Sequence, residues 1–170
     1  MAERQWLTDG SDYIKKPPGS EAAVKVVLSV SPDHEDCASL QNIFESHWAV
    51  IGSATVASAL SVLRQIPIPV VLCDCEVSSG TWGEMLDDLS RFPDPPLLIV
   101  TSRLADERLW AEALNLGAWD VLAKPFDAGE VNRIVSIAGQ HWQDCHNVQL
   151  SRTKQRKFPS GPKYMAATGT

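Results

Sequence analysis

Between residues 24 and 138 the chain alternates five times between a short β-branched or aliphatic run and a longer stretch with helical spacing. The runs are Val24–Val30, Ala49–Ala54, Pro69–Cys73, Leu97–Thr101 and Asp120–Ala123. Each is short, apolar and close to turn residues, as strands are. Gly52 and Ser53 interrupt the second run, which is assigned on its spacing. A strand that reaches the next strand through a helix has to cross over, so the two lie parallel. Their sheet must then be covered on both faces. The pattern therefore predicts a doubly wound α/β domain, and no internal sequence repeat competes with it.

The helix starts follow from local chemistry. Ser31 is a good N-cap ahead of Pro32, and Asp33 and Glu35 suit the positive end of a helix dipole; Leu40, Ile43 and Phe44 then form a buried stripe. A second helix is predicted over Val56–Gln65, with Val56, Leu60 and Leu63 on one face. Thr81-Trp82-Gly83-Glu84 and Asp127-Ala128-Gly129-Glu130 both fit a capping box. They lead into Met85, Leu86 and Leu89, and into Val131, Ile134, Val135 and Ala138. Asp106–Leu116 completes the set, with Leu109, Ala113 and Leu116 inward and Gly117 as its C-terminal cap.

A chain of 170 residues holds one ordinary domain plus tails. The division predicted is a flexible segment at 1–22, a folded domain at 23–146 and a basic, disordered tail at 147–170. That tail carries Arg152, Lys154, Arg156, Lys157 and Lys163 with no acid, which leaves the remainder at −11 against a total of −6. An acidic body argues against nucleic acid as a partner. No apolar run approaches the roughly 18 residues of a membrane span, and no secretory signal opens the chain, so a cytoplasmic location is expected. Cys37, Cys73, Cys75 and Cys145 fit no zinc or disulfide spacing and read as reduced thiols.

In sheets of this kind ligands bind at the carboxyl ends of the strands, where the strand order reverses. Those ends are Ser31-Pro32-Asp33, Asp74-Cys75-Glu76, Thr101-Ser102 and Lys124-Pro125-Phe126. A carboxylate, a hydroxyl and an ammonium thus share one rim. This set suits phosphoryl transfer, in which a carboxylate attacks, cations hold the phosphoryl oxygens and a hydroxyl senses the product.

Val70-Val71-Leu72-Cys73-Asp74, Leu97-Leu98-Ile99-Val100-Thr101-Ser102 and Leu116-Gly117-Ala118-Trp119-Asp120-Val121-Leu122-Ala123-Lys124-Pro125-Phe126-Asp127 resemble three signatures of response-regulator receivers, the phosphoacceptor modules of bacterial two-component signalling. The similarity spans about residues 24–143, and Gly80-Thr81-Trp82 further resembles stand-alone receivers without an output domain. The resemblance implies a flavodoxin-like (βα)5 fold with strand order 2-1-3-4-5. It implies Asp74 as phosphoacceptor, Thr101 as the hydroxyl that follows the phosphoryl group and Lys124 as its counter-charge, with a cis bond before Pro125. It also implies Mg²⁺ held by Asp74 and the Glu76 backbone carbonyl. The partners implied are a histidine kinase or phosphotransfer protein and a downstream protein, with a homodimer left open. No enzymic activity is expected beyond self-catalysed phosphoryl transfer to and from Asp74.

Two positions depart from the family. Receivers end strand one with two adjacent acids that serve the metal, and here Ser31 and Pro32 stand in their place. Proline offers no side-chain oxygen, so weakened Mg²⁺ binding is expected. Asp33, one position on, is a further candidate ligand, set against its ordinary role at a helix N-terminus. Val121 occupies the position of an aromatic switch residue, and Ser78 stands where a proline is common. Trp119 and Trp110 are candidates for a partner face or for packing. These departures keep open a pseudo-receiver, a phosphorylation-independent interaction module. A nucleotide- or flavin-binding enzyme lacks its glycine-rich loop after strand one. His141, Cys145 and His146 suggest a soft metal site but show no fourth ligand; His34 and His47 read as surface residues.

Overall fold

Five strands pair in parallel because each is followed by a helix long enough to carry the chain back to the start of the next. The computed structural model of the protein describes residues 25–157 except positions 46, 78 and 79. The segment at 1–22, Val24 at the start of the first predicted strand, Ser78 and residues 158–170 lie outside the described residues. The strands are β1 (Lys25–Val30), β2 (Trp48–Ser53), β3 (Val70–Asp74), β4 (Leu97–Ser102) and β5 (Asp120–Ala123), in the order β2-β1-β3-β4-β5. The helices are α1 (His34–Phe44), α2 (Val56–Gln65), α3 (Trp82–Leu89), α4 (Glu107–Leu116) and α5 (Ala128–Lys157). This is the flavodoxin-like (βα)5 arrangement expected from the sequence.

The interrupted second run pairs through Gly52 and Ser53, but the strand lies one residue earlier than predicted, from Lys25 opposite Trp48 to Val30 opposite Ser53, leaving Ala54 outside it. A Cβ on Gly52 would lie 2.8 Å from the Cys37 Sγ of α1, so a side chain there would require Cys37 to shift. Strand side chains alternate between two cores. Leu28, Val30, Val71, Cys73, Leu98, Val100 and Val121 join α2, α3 and α4 on one face. Val27, Val50, Val70, Leu72, Ile99 and Leu122 join Leu40 and Phe44 of α1 and Val131, Ile134, Val135 and Ala138 of α5 on the other. The two-residue period of a strand fixes this division.

Three local expectations are corrected. Helix α1 is capped by Asp33, whose side chain accepts from the Glu35 N–H at 2.9 Å, and not by Ser31. Ser31 still belongs to the strand end, since its N–H bonds the Ser53 carbonyl at 3.0 Å and its hydroxyl donates into the core. Leu116 is 58% exposed. Gly117 turns the chain in a left-handed conformation (φ 104°), and buried Ala118, donating to the Ala113 carbonyl, enters the core instead. Residues 147–157, expected as the start of a disordered tail, continue α5 to Lys157. No proline or glycine interrupts the stretch 140–157, so nothing ends the helix earlier. The capping box at Thr81 and Glu84 is complete, and Asp127 accepts from the Glu130 N–H.

Candidate functional site

Strand parity decides which side chains meet at the carboxyl rim. Leu72 and Ile99 face α1 and α5, so Asp74 and Thr101, two residues further along β3 and β4, continue on that face. Leu122 faces the same way, and so does Lys124 two residues later. Asp74 and Thr101 are register partners, and the Cys75 N–H donates to the Thr101 carbonyl at 2.9 Å. Both are buried. The Lys124–Pro125 peptide is cis.

The three residues expected from the sequence converge, and a fourth joins them that the sequence reading missed. Lys124 Nζ donates to Asp74 Oδ2 and to Asp36 Oδ2, binding two buried carboxylates at once. The Ser31 hydroxyl donates to Asp36 Oδ2 at 2.6 Å and lies 3.4 Å from Asp74 Oδ2. The remaining oxygen of Asp74 accepts the Glu76 N–H at 2.8 Å. Asp36 reaches the cluster because Asp36, Leu40 and Phe44 recur at four-residue spacing on the buried face of α1. That spacing was visible in the sequence: an aspartate on the apolar stripe, one turn before its first leucine.

The charges in this cluster set one another. Burial pushes the Asp74 carboxyl upward, but the hydrogen bonds from Lys124, the Glu76 amide and Ser31 outweigh it and hold the pKa below the usual carboxylate value. Burial likewise disfavours charged Lys124, yet Asp36 and Asp74 raise its pKa above that of a free lysine. Asp74 is therefore ionised and Lys124 charged at neutral pH. On the opposite strand face, burial and then the Asp74 charge push the Cys73 thiol up to about 12, so it stays an unreactive thiol.

Asp33 is not drawn into the cluster. One of its oxygens caps α1 and the other pairs with Arg103 at 2.8 Å, so Asp33 and Arg103 form part of the pocket mouth. The cavity there, about 440 Å³, is lined by Pro32, Asp33, His34, Asp74, Glu76, Arg103 and Lys124. A second, of about 290 Å³, shares Asp33, Arg103 and Lys124 with the first and is bordered by Asp36 and Phe126. Glu76 is exposed in the turn after β3.

Among the other residues singled out, Val121 is wholly buried on the α2–α4 side of the sheet, away from Lys124. Trp119 packs against the α5 core and tilts on the His141 ring at 4.9 Å, whereas Trp110 stays partly exposed on α4. His141 and Cys145 approach each other at 3.7 Å, but His146 turns instead to Asp94 and stacks on Trp142. Among the described residues no three or more His, Cys, Asp or Glu side chains surround a common point. His34 and His47 are exposed. No helix among the described residues is long and apolar enough to cross a membrane.

Comparison with known proteins agrees with this geometry. Residues 27–136 match the response regulator receiver domain family. The chain belongs to the response-regulator receivers of two-component systems. It is 30% identical over 117 residues to the transcriptional regulatory protein ZraR of Klebsiella oxytoca, covering 68% of this chain and 26% of that protein. It is 24% identical over 141 residues to hybrid signal transduction histidine kinase D of Dictyostelium discoideum, covering 81% of this chain and 8% of that protein. The chain thus spans only a small part of these relatives. Its fold is similar to the CheY-like receiver protein of Methanospirillum hungatei (TM-score 0.63, 19% identity, 72% of this chain and 98% of that one). It is similar also to the receiver domain of an HD domain-containing protein of Pseudomonas fluorescens (TM-score 0.64, 19% identity, 72% and 99%).

Proposed function

We propose that Asp74 accepts a phosphoryl group from a histidine kinase or phosphotransfer protein, and that the modified domain changes its affinity for a downstream protein. The observation that carries this reading is the buried, ionised Asp74 carboxylate held beside Thr101 and Lys124 at the mouth of an open pocket. An Asp74 oxygen attacks phosphorus. The bond from phosphorus to the donor's imidazole nitrogen breaks, its electron pair stays on that nitrogen, and an acyl phosphate forms on Asp74. Lys124 carries the counter-charge for the phosphoryl oxygens, and the Thr101 hydroxyl donates to one of them. This self-catalysed transfer is the only chemistry proposed for the chain.

Receivers commonly hold Mg²⁺ at this rim, and the donor set fits such an ion. Mg²⁺ takes hard oxygen ligands and is satisfied by one or two carboxylates with waters and a phosphoryl oxygen. Asp74 and the Glu76 backbone carbonyl would hold it here. When bound, it neutralises charge on the phosphoryl oxygens. The Asp33 cap and its pairing with Arg103 favour leaving it out of the set.

Incubating the protein with acetyl phosphate or beryllofluoride and Mg²⁺ tests the reading. One phosphoryl group should appear by intact mass and vanish in Asp74→Asn, and NMR shifts should cluster around Asp74, Thr101 and Lys124. No adduct and no shifts at millimolar Mg²⁺ would leave the pseudo-receiver as the better account. That second reading is favoured by one observation: Lys124 already binds both Asp74 and Asp36 within the fold, and Pro32 adds no ligand.

A further inference from the structure

We propose that Asp36 is the second carboxylate of the divalent-cation site, supplying from the first turn of α1 what related receivers supply from the end of strand one. Lys124 is the internal cation that yields its place between Asp36 and Asp74. The inference deepens the acceptor reading above and rests on it for the identity of the ion.

The first ground is elimination. Pro32 has no side-chain oxygen, Ser31 brings a neutral hydroxyl, and both oxygens of Asp33 are engaged elsewhere. The second is placement. Asp36 Oδ2 and Asp74 Oδ2 bind the same ammonium nitrogen, so the two carboxylates already share one cation. The third is cost. Asp36 sits on the stripe otherwise formed by Leu40 and Phe44, where an apolar residue would bury without a desolvation penalty. An ionised carboxylate there is expensive unless a cation requires it. The helix N-terminus and the 2.6 Å bond from Ser31 help to hold its charge in place. Ser31 thus serves the site by positioning Asp36.

Lys124 borders both cavities, one lined by Asp74 and the other by Asp36. When a divalent ion binds, the flexible Lys124 side chain swings out of the cluster and leaves both carboxylate oxygens to the ion. Two carboxylates, the Glu76 carbonyl and waters then make a sufficient oxygen set for Mg²⁺ or Mn²⁺.

Mn²⁺ titration of the full chain, read by calorimetry and by paramagnetic broadening of amide signals, tests the proposal without any phosphoryl donor. Asp36→Asn should weaken Mn²⁺ binding by about tenfold or more, as loss of a charged ligand does, while Asp33→Asn stays within about twofold. Adding Pro32→Asp to Asp36→Asn should restore most of the lost affinity, which a purely structural role for Asp36 would not produce. In the wild-type protein Mn²⁺ should broaden the signals of Ser31 and Asp36 along with those near Asp74, a readout independent of any variant's folding. Unchanged affinity in Asp36→Asn, an equal loss in Asp33→Asn, or broadening that spares residue 36 would overturn the proposal. Absence of saturable Mn²⁺ binding would overturn it too, yet would leave the acceptor reading standing if acetyl phosphate still modified Asp74. Asp36-dependent Mn²⁺ binding without any adduct would do the reverse.

Discussion

The carboxyl rim of the sheet has two sides built on different rules. On the β3–β5 side each functional group stands at or just past a strand end, where parity alone aims Asp74, Thr101 and Lys124 at one point. On the β1 side the strand end gives only Ser31 and Pro32, and the carboxylate arrives from α1 five residues after Ser31. A strand end and the first turn of the following helix can thus deliver the same group to the same place.

The sharpest way to break this comparison is to remove the residue that joins the two sides. Lys124 serves two buried carboxylates, so Lys124→Ala strands both and should cost about 3–5 kcal/mol in urea unfolding. A loss below about 1 kcal/mol would mean that the carboxylates are solvated and the two sides independent. The pH dependence should change sign with it. In the wild type, Asp74 has a folded pKa below its unfolded value, so its contribution is present above about pH 4 and is lost as pH falls through the folded pKa. Lys124, raised, contributes fully below about pH 10 and loses that contribution as pH rises through its folded pKa. Without Lys124, burial acts on the Asp74 carboxyl against fewer favourable contacts and should raise its pKa, so the variant should gain stability on mild acidification. Unfolding midpoints between pH 4 and 7 measure this directly.

Removing one carboxylate should cost less than removing the lysine, because the ammonium keeps its other partner. Asp36→Asn is expected to lose about 1.5–3 kcal/mol, the range for a hydrogen bond to a charged group. A loss equal to that of Lys124→Ala would show that the Asp74 side contributes nothing to holding the ammonium. Asp33→Ala should cost about 1 kcal/mol, the value of an N-cap, and should change phosphorylation less than Asp36→Asn does. An effect of Asp33 on phosphorylation larger than that of Asp36 would reverse the assignment of the two acids.

The same comparison explains which parts were legible in the sequence. The five strands and the β3–β5 groups follow from short periods, since a strand repeats every two residues and its end is marked by turn residues, whereas the strand order followed from the resemblance to receivers. Asp36 was not read because helix faces are assigned from apolar residues, and an acid at a first-turn position looks like a partner for the helix dipole. Only the four-residue spacing to Leu40 and Phe44 distinguishes it from Glu35, which is exposed. The cap moved from Ser31 to Asp33 for a related reason. The Ser31 hydroxyl donates to Asp36 and accepts the Asp33 N–H, so it supports the cap residue, while Asp33 takes the Glu35 N–H of the helix itself.

The smallest effect is expected where the two sides meet in solvent. Arg103 follows β4 and Asp33 caps α1, so their 2.8 Å pair bridges the pocket mouth from one side to the other. Arg103 is 70% exposed and Asp33 31%, and water screens a pair of this kind. Arg103→Ala should therefore change stability by no more than about 0.5 kcal/mol, and by less still in 1 M salt. Its kinetic effect is a separate quantity. An arginine beside the acceptor raises the local concentration of anionic donors, so the variant should slow modification by acetyl phosphate at low salt and approach the wild-type rate as salt rises. A stability loss above about 1 kcal/mol that persists in salt would show that the bridge ties the two sides together mechanically, and that the rim does not rest on Lys124 alone.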